Sequence, residues 1–245
     1  MKILYAGDGP IGGAANYLYG VLRTVTAQIV HLDPGQILDP DLLKKNHFDL
    51  LILSDFSCQS MPMESQKIAL EQFKQGMGVL MVGGWGSFSG PFGNWHGSVI
   101  EEILPIHCKK GDDRTNFPGG AIMLPKEKAS FLNSLDFKNP PVLCGLNAFI
   151  PKPAAKVLLV AREIQIKSKK LSFGAEHPLL VVHSNYGRSA AFATDVAPHW
   201  CGGLVDWGSR RLKLNVKGDI QIEVGHLYVK FLTNLARWLG GSEKI

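Results

Sequence analysis

The chain has 245 residues, of which 45% are hydrophobic and 19% charged, and its formal net charge at pH 7 is +5. This is the composition of an ordinary folded protein, which excludes a disordered chain, and a fold of this length buries roughly 70 to 75% of its extended surface. The basic residues form small, scattered groups without interleaved aromatic residues, which argues against a nucleic-acid-binding surface.

The cysteines and the apolar runs indicate the compartment. Cys58, Cys108, Cys144 and Cys201 are far apart and show neither a C-x-x-C pair nor a zinc-ligand spacing, so reduced thiols and no metal site are expected. The first apolar run is too short for the hydrophobic region of a signal peptide, and the longest runs have the length of strands. We therefore expect a cytoplasmic protein that does not bind membranes.

The first third of the chain alternates between strand and helix patterns. Short apolar runs predict strands at 2–6, 28–32, 48–54 and 78–82. Helices are predicted by an amphipathic stripe from Ala14 to Val25, by a short piece near Asp41 to Lys45, and by a segment from about Glu64 to Gln75. Strands that are apolar on both faces and are separated by helices predict a parallel sheet covered by helices.

The pattern changes in the second half. Between Pro105 and Pro153 the periodicity weakens, which predicts a loop-rich insertion with one helix near Lys126 to Asn133. Strands resume at 156–161, 178–183 and 189–194, with turns short enough for antiparallel neighbours. A final helix carries an apolar stripe from Val224 to Leu239. No linker divides the chain, so we predict a single domain over residues 1–245 with the insertion at 105–153.

Polar residues follow several of the predicted strands. In an open parallel sheet, ligands bind beyond the carboxyl ends of the strands, where loops converge. The residues selected by this rule are Asp8 after the first strand, Asp55 after the third, Gly83, Gly84, Trp85 and Ser87 after the fourth, and Asp195 with His199 after the strand at 189–194. We predict that the first six of these bind a ligand and that His199, Asp195 and Ser87 are the catalytic candidates.

Each of these residues also has a structural interpretation. Asp8 and Asp195 could cap the turns that follow them, and Ser87 could cap the next helix. Trp85 could simply pack against the insertion, and His199 could be a buried structural group beside a tryptophan.

Neither a reactive thiol nor a nucleotide cofactor is predicted. Cys58 follows the third strand but has no cationic neighbour in sequence, so an inert thiol is expected. The glycine pairs at 12–13 and 83–84 match neither a dinucleotide-binding nor a phosphate-binding loop, so no cofactor is expected.

Four segments carry a resemblance to a known family. They are VLMVGGWGSFSG at 79–90, EEILPI at 101–106, YGRSAAFATDVAPHW at 186–200 and LARWLGG at 235–241. Together they resemble the putative glutamine amidotransferase family of the class I glutamine amidotransferase-like superfamily. The resemblance implies a flavodoxin-like three-layer α/β/α sandwich with a mostly parallel sheet.

The resemblance also sets an expectation for the chemistry. Class I amidotransferases hydrolyse glutamine with a cysteine on the turn after the fourth strand and with an H-x-E pair near the C terminus. The resemblance places Gly83, or at most Gly84 or Trp85, at the position of that cysteine, and none of the eight histidines is followed by glutamate two places on. We therefore expect a glutamine amidotransferase-like protein that binds a small polar metabolite without cysteine-dependent glutaminase activity.

Two other hypotheses stay open at the sequence level. A hydrolase could use Asp195 and His199 as acid and base, or as metal ligands together with Asp8 or Asp55. A non-catalytic interaction module could use the tryptophans and residues 105–125 as a subunit interface, which would make the protein a homo-oligomer.

Overall fold

A computed structural model describes residues 1–241. Within these residues it contains one large sheet, two small two-stranded sheets and six α-helices, so the mixed α/β class predicted from the sequence is confirmed. The strands are β1 (Ile3–Gly7), β2 (Ile29–Leu32), β3 (Leu50–Ser54), β4 (Gly78–Val82), β5 (Ile106–Cys108), β6 (Arg114–Pro125), β7 (Val142–Asn147), β8 (Phe149–Pro151), β9 (Lys156–Lys167), β10 (Lys170–Ser184), β11 (Arg188–Phe192), β12 (Arg211–Asn215) and β13 (Gln221–Gly225). The helices are α1 (Ala15–Arg23), α2 (Pro40–Lys44), α3 (Met63–Lys74), α4 (Val99–Ile103), α5 (Pro198–Val205) and α6 (His226–Leu239).

One half of the large sheet is parallel and holds the strands predicted first. Its order is β2, β1, β3, β4 and β11, and each neighbouring pair runs parallel. Every residue of β1, β3 and β4 is buried, which explains why these strands are apolar on both faces. The predicted strands in this half and the helices between them are confirmed.

The other half of the sheet is antiparallel. It continues from β11 through β10, β9 and β6 to β7 at the edge. Within residues 1–241 the sheet therefore has four parallel and four antiparallel pairings, so it is mixed and the expectation of a mostly parallel sheet is wrong in this half. The antiparallel arrangement predicted for the strands between residues 156 and 194 is confirmed.

The segment from 105 to 153 contains strands where loops were expected. It holds β5 to β8, and the helix predicted near Lys126 to Asn133 is wrong, because the chain forms only a short 3-10 turn at Ser130–Leu132. Two glycines interrupt β6, and its register with β7 shifts between Asn116 and Ala121. This irregularity breaks the alternation of buried and exposed residues that identifies a strand. The assignment of the whole chain to a single domain stays a prediction.

The terminal helix α6 packs against the middle of the large sheet. It contacts β4 and β11 as well as α1, and the ring of Phe231 lies 5.4 Å from the ring of Phe192 on β11. Trp238 near the end of the helix is fully buried. The predicted C-terminal helix is confirmed, whereas α5 and the β12–β13 hairpin were not predicted.

Candidate functional site

Four neighbouring strands bring the predicted polar residues to one edge of the sheet. Because β1, β3, β4 and β11 are parallel neighbours, their carboxyl ends meet there. Asp8 and Asp55 directly follow their strands with φ values of 59° and 47°. Aspartate tolerates this left-handed conformation better than most residues, so the chain can turn sharply while it keeps a carboxyl group at the strand end.

A cavity of about 460 Å³ opens at this edge. Its lining consists of Asp55, Gly84, Trp85, Asp195, His199 and Trp200. Five of these residues were selected from the sequence as site residues, and Trp200 was missed although it directly follows His199. A cavity of this size suits a small molecule. Of the other selected residues, Asp8, Gly83 and Ser87 do not line the cavity.

The two carboxylate oxygens of Asp195 have different partners, the backbone of the next turn and the side chain of His199. Its Oδ1 accepts hydrogen bonds from the backbone N–H groups of Val196 at 2.6 Å and Ala197 at 2.8 Å, so it does cap the turn before α5. Its Oδ2 lies 3.1 Å from Nδ1 of His199, which leaves Nε2 of that imidazole outside the pair. Asp195 therefore fixes the orientation of the histidine ring.

His199 is exposed and is not a buried structural group. Its side chain is 71% exposed, so the interpretation as a buried histidine is wrong. The hydrogen bond to Asp195 raises the pKa of His199 above its usual value, and the charges of Asp195 and Asp55 add to this effect. His199 therefore presents an exposed imidazole, paired at Nδ1 with Asp195, to the cavity.

Asp55 is held so that one carboxylate oxygen is left for a ligand. Its Oδ1 accepts the backbone N–H of Gly86 at 2.6 Å, whereas its Oδ2 has no hydrogen-bond partner among residues 1–241. Burial raises the pKa of Asp55 to about 6, and repulsion by Asp195 adds to the increase. A Cβ atom at Gly84 would lie 2.1 Å from Oδ1 of Asp55, so only glycine fits beside this carboxylate.

Ser87 supports the backbone of Asp55 without lining the cavity. The side chain is 1% exposed, and its Oγ accepts the backbone N–H of Asp55 at 3.0 Å. Helix α4 has Ser98 as its N-cap, so the interpretation of Ser87 as the cap of the next helix is wrong. The hydroxyl of Ser87 is a structural support for Asp55 in this arrangement.

Asp8 is buried and does not line the cavity. Its Oδ2 accepts the hydroxyl of Tyr5, and its Oδ1 accepts Oγ–H of Ser54 at 2.9 Å. Burial raises the pKa of Asp8 to about 8, and repulsion by Asp195 and Asp55 contributes. Asp8 is therefore mainly neutral at pH 7, and it bonds side chains rather than capping the following turn.

An asparagine from the antiparallel half clamps the turn after β4. Asn147 is fully buried, and its side chain accepts the N–H of Gly84 at 2.8 Å and donates to the carbonyl of the same residue at 3.1 Å. It also donates to Asp113 at 2.7 Å, and Asp113 in turn accepts the N–H of Ser89 at 2.8 Å. The N–H of Gly83 bonds the carbonyl of Phe192 at 2.7 Å.

Trp85 lines the cavity and contacts the side chains of Arg114 and Phe92. It is 53% exposed, and the guanidinium of Arg114 lies 4.2 Å from its ring centre. Phe92 stacks beside it at 6.5 Å. Trp85 thus packs against the 105–153 segment, through Arg114, and also lines the cavity.

None of the cavity-lining residues is a cysteine. Cys201 on α5 donates from Sγ to the carbonyl of Ala197 at 2.9 Å, and burial raises the pKa of this thiol. Burial also raises the pKa of Cys58, which agrees with the expected inert thiol.

The structure gives no support to a metal site. Among residues 1–241, no group of three or more His, Cys, Asp or Glu side chains is placed to hold a metal ion. No helix in the described part of the chain is long and apolar enough to cross a membrane.

Solved structures with the same fold include two proteins from Salmonella. A cytoplasmic protein from Salmonella typhimurium has a TM-score of 0.74 at 20% identity, with 98% of this chain and 99% of that chain covered. A cytoplasmic protein from Salmonella typhimurium LT2 has a TM-score of 0.74 at 21% identity, with the same coverage of 98% and 99%. A putative ThuA-like protein from Parabacteroides merdae has a TM-score of 0.58 at 15% identity, with 100% and 92% covered. At these identities the similarity shows the fold alone.

The sequence comparisons complete the assignment. No curated protein matches this chain. The family model described as putative glutamine amidotransferase matches residues 43–222, which is well over half of the chain and includes Asp55, the turn after β4, Asp195 and His199. The chain therefore belongs to the putative glutamine amidotransferase family.

Proposed function

We propose that this protein binds a small polar metabolite in the cavity at the strand ends and has no cysteine-dependent glutaminase activity. The observation that carries the proposal is the lining of the cavity, which supplies two carboxylates, an imidazole and two indoles but no thiol. A few polar groups converging on an apolar wall are typical of small-molecule sites. The opposite arrangement, a nucleophilic sulfur beside an imidazole, is what glutamine hydrolysis of this type requires.

The proposal includes the architecture and the location of the protein. Helices α1 and α6 contact each other, as do α2 with α3 and α3 with α4. We assign these two groups to opposite faces of the sheet, which gives the flavodoxin-like three-layer sandwich. A cytoplasmic location is part of the same proposal, and the names of the two Salmonella proteins agree with it.

A thermal-shift screen with cytosolic metabolites tests the binding function. A ligand present at about 100 times its dissociation constant adds about 2.7 kcal/mol to the free energy of unfolding. For a chain of this size we expect the melting temperature to rise by roughly 2 to 4 °C per kcal/mol. The shift should disappear in His199→Ala, which removes a cavity side chain, and persist in His47→Ala, which removes an exposed histidine elsewhere.

Ammonia release from glutamine tests the second half of the proposal. The purified protein should release no more ammonia than a heat-denatured sample. Hydrolysis that a thiol-alkylating reagent abolishes would refute the proposal, because it would show that one of the four cysteines is a working nucleophile.

A hydrolase is the second candidate, favoured by one distance. Nδ1 of His199 lies 3.1 Å from Asp195, and such a pair can leave Nε2 free to take a proton from water. If this candidate is correct, ester, amide or phosphoester substrates should turn over, and His199→Gln should slow turnover by about 100-fold or more. Turnover that is equal in His199→Gln and His47→Ala would exclude the pair as the acid and base.

The tryptophans give little support to the interaction-module hypothesis, and an interface formed by residues 105–125 stays a prediction. Trp95, Trp200, Trp207 and Trp238 are buried, so among the tryptophans only Trp85 could contribute to a subunit interface. Sedimentation of the purified chain decides whether it forms a homo-oligomer.

A further inference from the structure

The charge of the cavity is unbalanced. Two carboxylates line it, those of Asp55 and Asp195, whereas the buried Asp8 is mainly neutral and adds no charge. Among residues 1–241, neither carboxylate forms an ion pair with a lysine or arginine, and the one side chain paired with Asp195 is His199. This is notable in a chain whose formal net charge is +5. The excess negative charge favours a positively charged ligand over a neutral or anionic one.

Two residues that line the cavity each carry a hydrogen-bonding group without a partner among the described residues. Oδ2 of Asp55 has no partner among the described residues, and a carboxylate oxygen can only accept. Trp200 lines the cavity and is 9% exposed, yet its indole N–H has no hydrogen-bond partner in the described part of the chain. An indole N–H can only donate, so the oxygen of a ligand can pair with it.

The aromatic walls suit the carbon part of such a ligand. Indole rings bury apolar carbon and attract cations through the negative face of the ring. Trp85 already shows this property, since the guanidinium of Arg114 lies 4.2 Å from its ring centre.

We propose that the ligand of this cavity is a small organic cation, an amine or guanidinium whose charged end binds Asp55 next to Asp195. Its carbon atoms pack on the indoles of Trp85 and Trp200, and a hydroxyl or carbonyl oxygen accepts the N–H of Trp200. This inference rests on the proposed function, because it names the ligand class of the same cavity.

A matched series of four-carbon compounds tests the ligand class. Aminobutanol, butanediol and hydroxybutyrate share a terminal hydroxyl and differ at the other end, which is an ammonium, a hydroxyl or a carboxylate. Titration calorimetry near neutral pH and at low salt should show that aminobutanol binds about tenfold or more tightly than butanediol. Hydroxybutyrate should not bind, because the carboxylates repel it.

Variants of the protein assign the charge recognition to Asp55. The Asp55→Asn variant keeps an oxygen for the N–H of Gly86 but loses the charge. We expect it to weaken aminobutanol binding about tenfold or more and to leave butanediol binding unchanged. Glu71→Gln, which neutralises an exposed carboxylate on α3, should bind all three compounds as the unmodified protein does. If Asp55→Asn does not fold, salt provides the second test, since added salt should weaken aminobutanol binding and not butanediol binding.

The outcomes separate this inference from the function on which it rests. If butanediol or hydroxybutyrate binds best and Trp200→Ala abolishes that binding, the cavity is a metabolite site and the cation inference is wrong. If aminobutanol binds equally well to Asp55→Asn and the unmodified protein, the inference is also wrong. If neither this series nor the metabolite screen yields a ligand, both proposals fail.

Discussion

Asp8 shows what burial does to a carboxyl group at the scale of a single residue. Burial raises its pKa to about 8 in the folded protein, whereas an exposed aspartate in an unfolded chain has a pKa of about 3.9. Between these values the folded state binds a proton that the unfolded state releases. The free energy of unfolding therefore falls as the pH rises through this window. Asp55 and His199, whose pKa values are also raised, act in the same direction.

Replacing Asp8 by asparagine should flatten this pH dependence. Asp8→Asn keeps an oxygen that can accept from Tyr5 and cannot titrate. We expect the unmodified protein to lose more melting temperature between about pH 5 and about pH 8 than Asp8→Asn does, as measured by circular dichroism. Glu71→Gln, at an exposed carboxylate, should follow the unmodified protein. Equal losses in Asp8→Asn and Glu71→Gln would show that Asp8 does not carry the effect.

At the scale of elements, the turn after β4 depends on a residue from β7. Asn147 satisfies both the N–H and the carbonyl of Gly84 and donates to the buried Asp113. Truncating this side chain leaves these buried groups without partners, and each such loss costs about 1 to 3 kcal/mol. The position of Gly84 beside Asp55 is therefore maintained from the antiparallel half of the sheet.

The variant Asn147→Ala tests how much the hydrogen bonds of the Asn147 side chain contribute to stability. We expect it to lower the free energy of unfolding by roughly 3 kcal/mol, as measured by urea denaturation. The matched control is Asn116→Ala, at an exposed position of β6, which should change stability by less than about 0.5 kcal/mol. An Asn147→Ala protein as stable as the control would mean that other contacts hold the turn.

Whether a strand could be predicted from the sequence depends on how regularly its residues are buried. β1, β3 and β4 are buried on both faces, so each appears as an uninterrupted apolar run. In β6, by contrast, Gly119 and Gly120 coincide with a register shift and the burial pattern is irregular. The β12–β13 hairpin is largely exposed, so it has little hydrophobic periodicity to detect.

The same distinction holds for the candidate site. Asp8 and Asp55 could be selected because a residue that directly follows a buried parallel strand must lie at the sheet edge. Asn147 could not, because it reaches Gly84 across 63 positions of sequence through a strand pairing that no local pattern reveals. The free N–H of Trp200 likewise depends on what surrounds it in three dimensions.

At the scale of the whole molecule, α6 connects the core to the strand that bears the site. Phe231 is fully buried, and its ring meets that of Phe192 on β11, two residues before Thr194 and three before Asp195. The parallel and antiparallel halves of the sheet also meet at β11. The central packing of the molecule therefore includes the strand that leads to Asp195.

The variant Phe231→Ala should lower stability without removing a ligand contact. Loss of a buried phenylalanine costs about 3 to 5 kcal/mol, so we expect a fall in melting temperature of several degrees by calorimetry. Lys230→Ala, at the exposed neighbouring position, should be nearly neutral. Because Phe231 does not line the cavity, the folded variant should retain its ligand affinity within about threefold. If Phe231→Ala loses as little stability as Lys230→Ala, the contact between Phe231 and Phe192 is not central to the packing of the molecule.

The tight turn after β4 also limits how this chain could gain a sulfur nucleophile. A Cβ atom at Gly83 would lie 2.0 Å from the carbonyl oxygen of Ala193, and one at Gly84 would meet the carboxylate of Asp55. A single substitution by cysteine at either position would therefore displace the backbone and would not by itself create a nucleophile in this turn. At position 84, a cysteine side chain and the carboxylate of Asp55 would occupy the same volume. Engineering glutamine hydrolysis at this position would therefore require that Asp55 be replaced first.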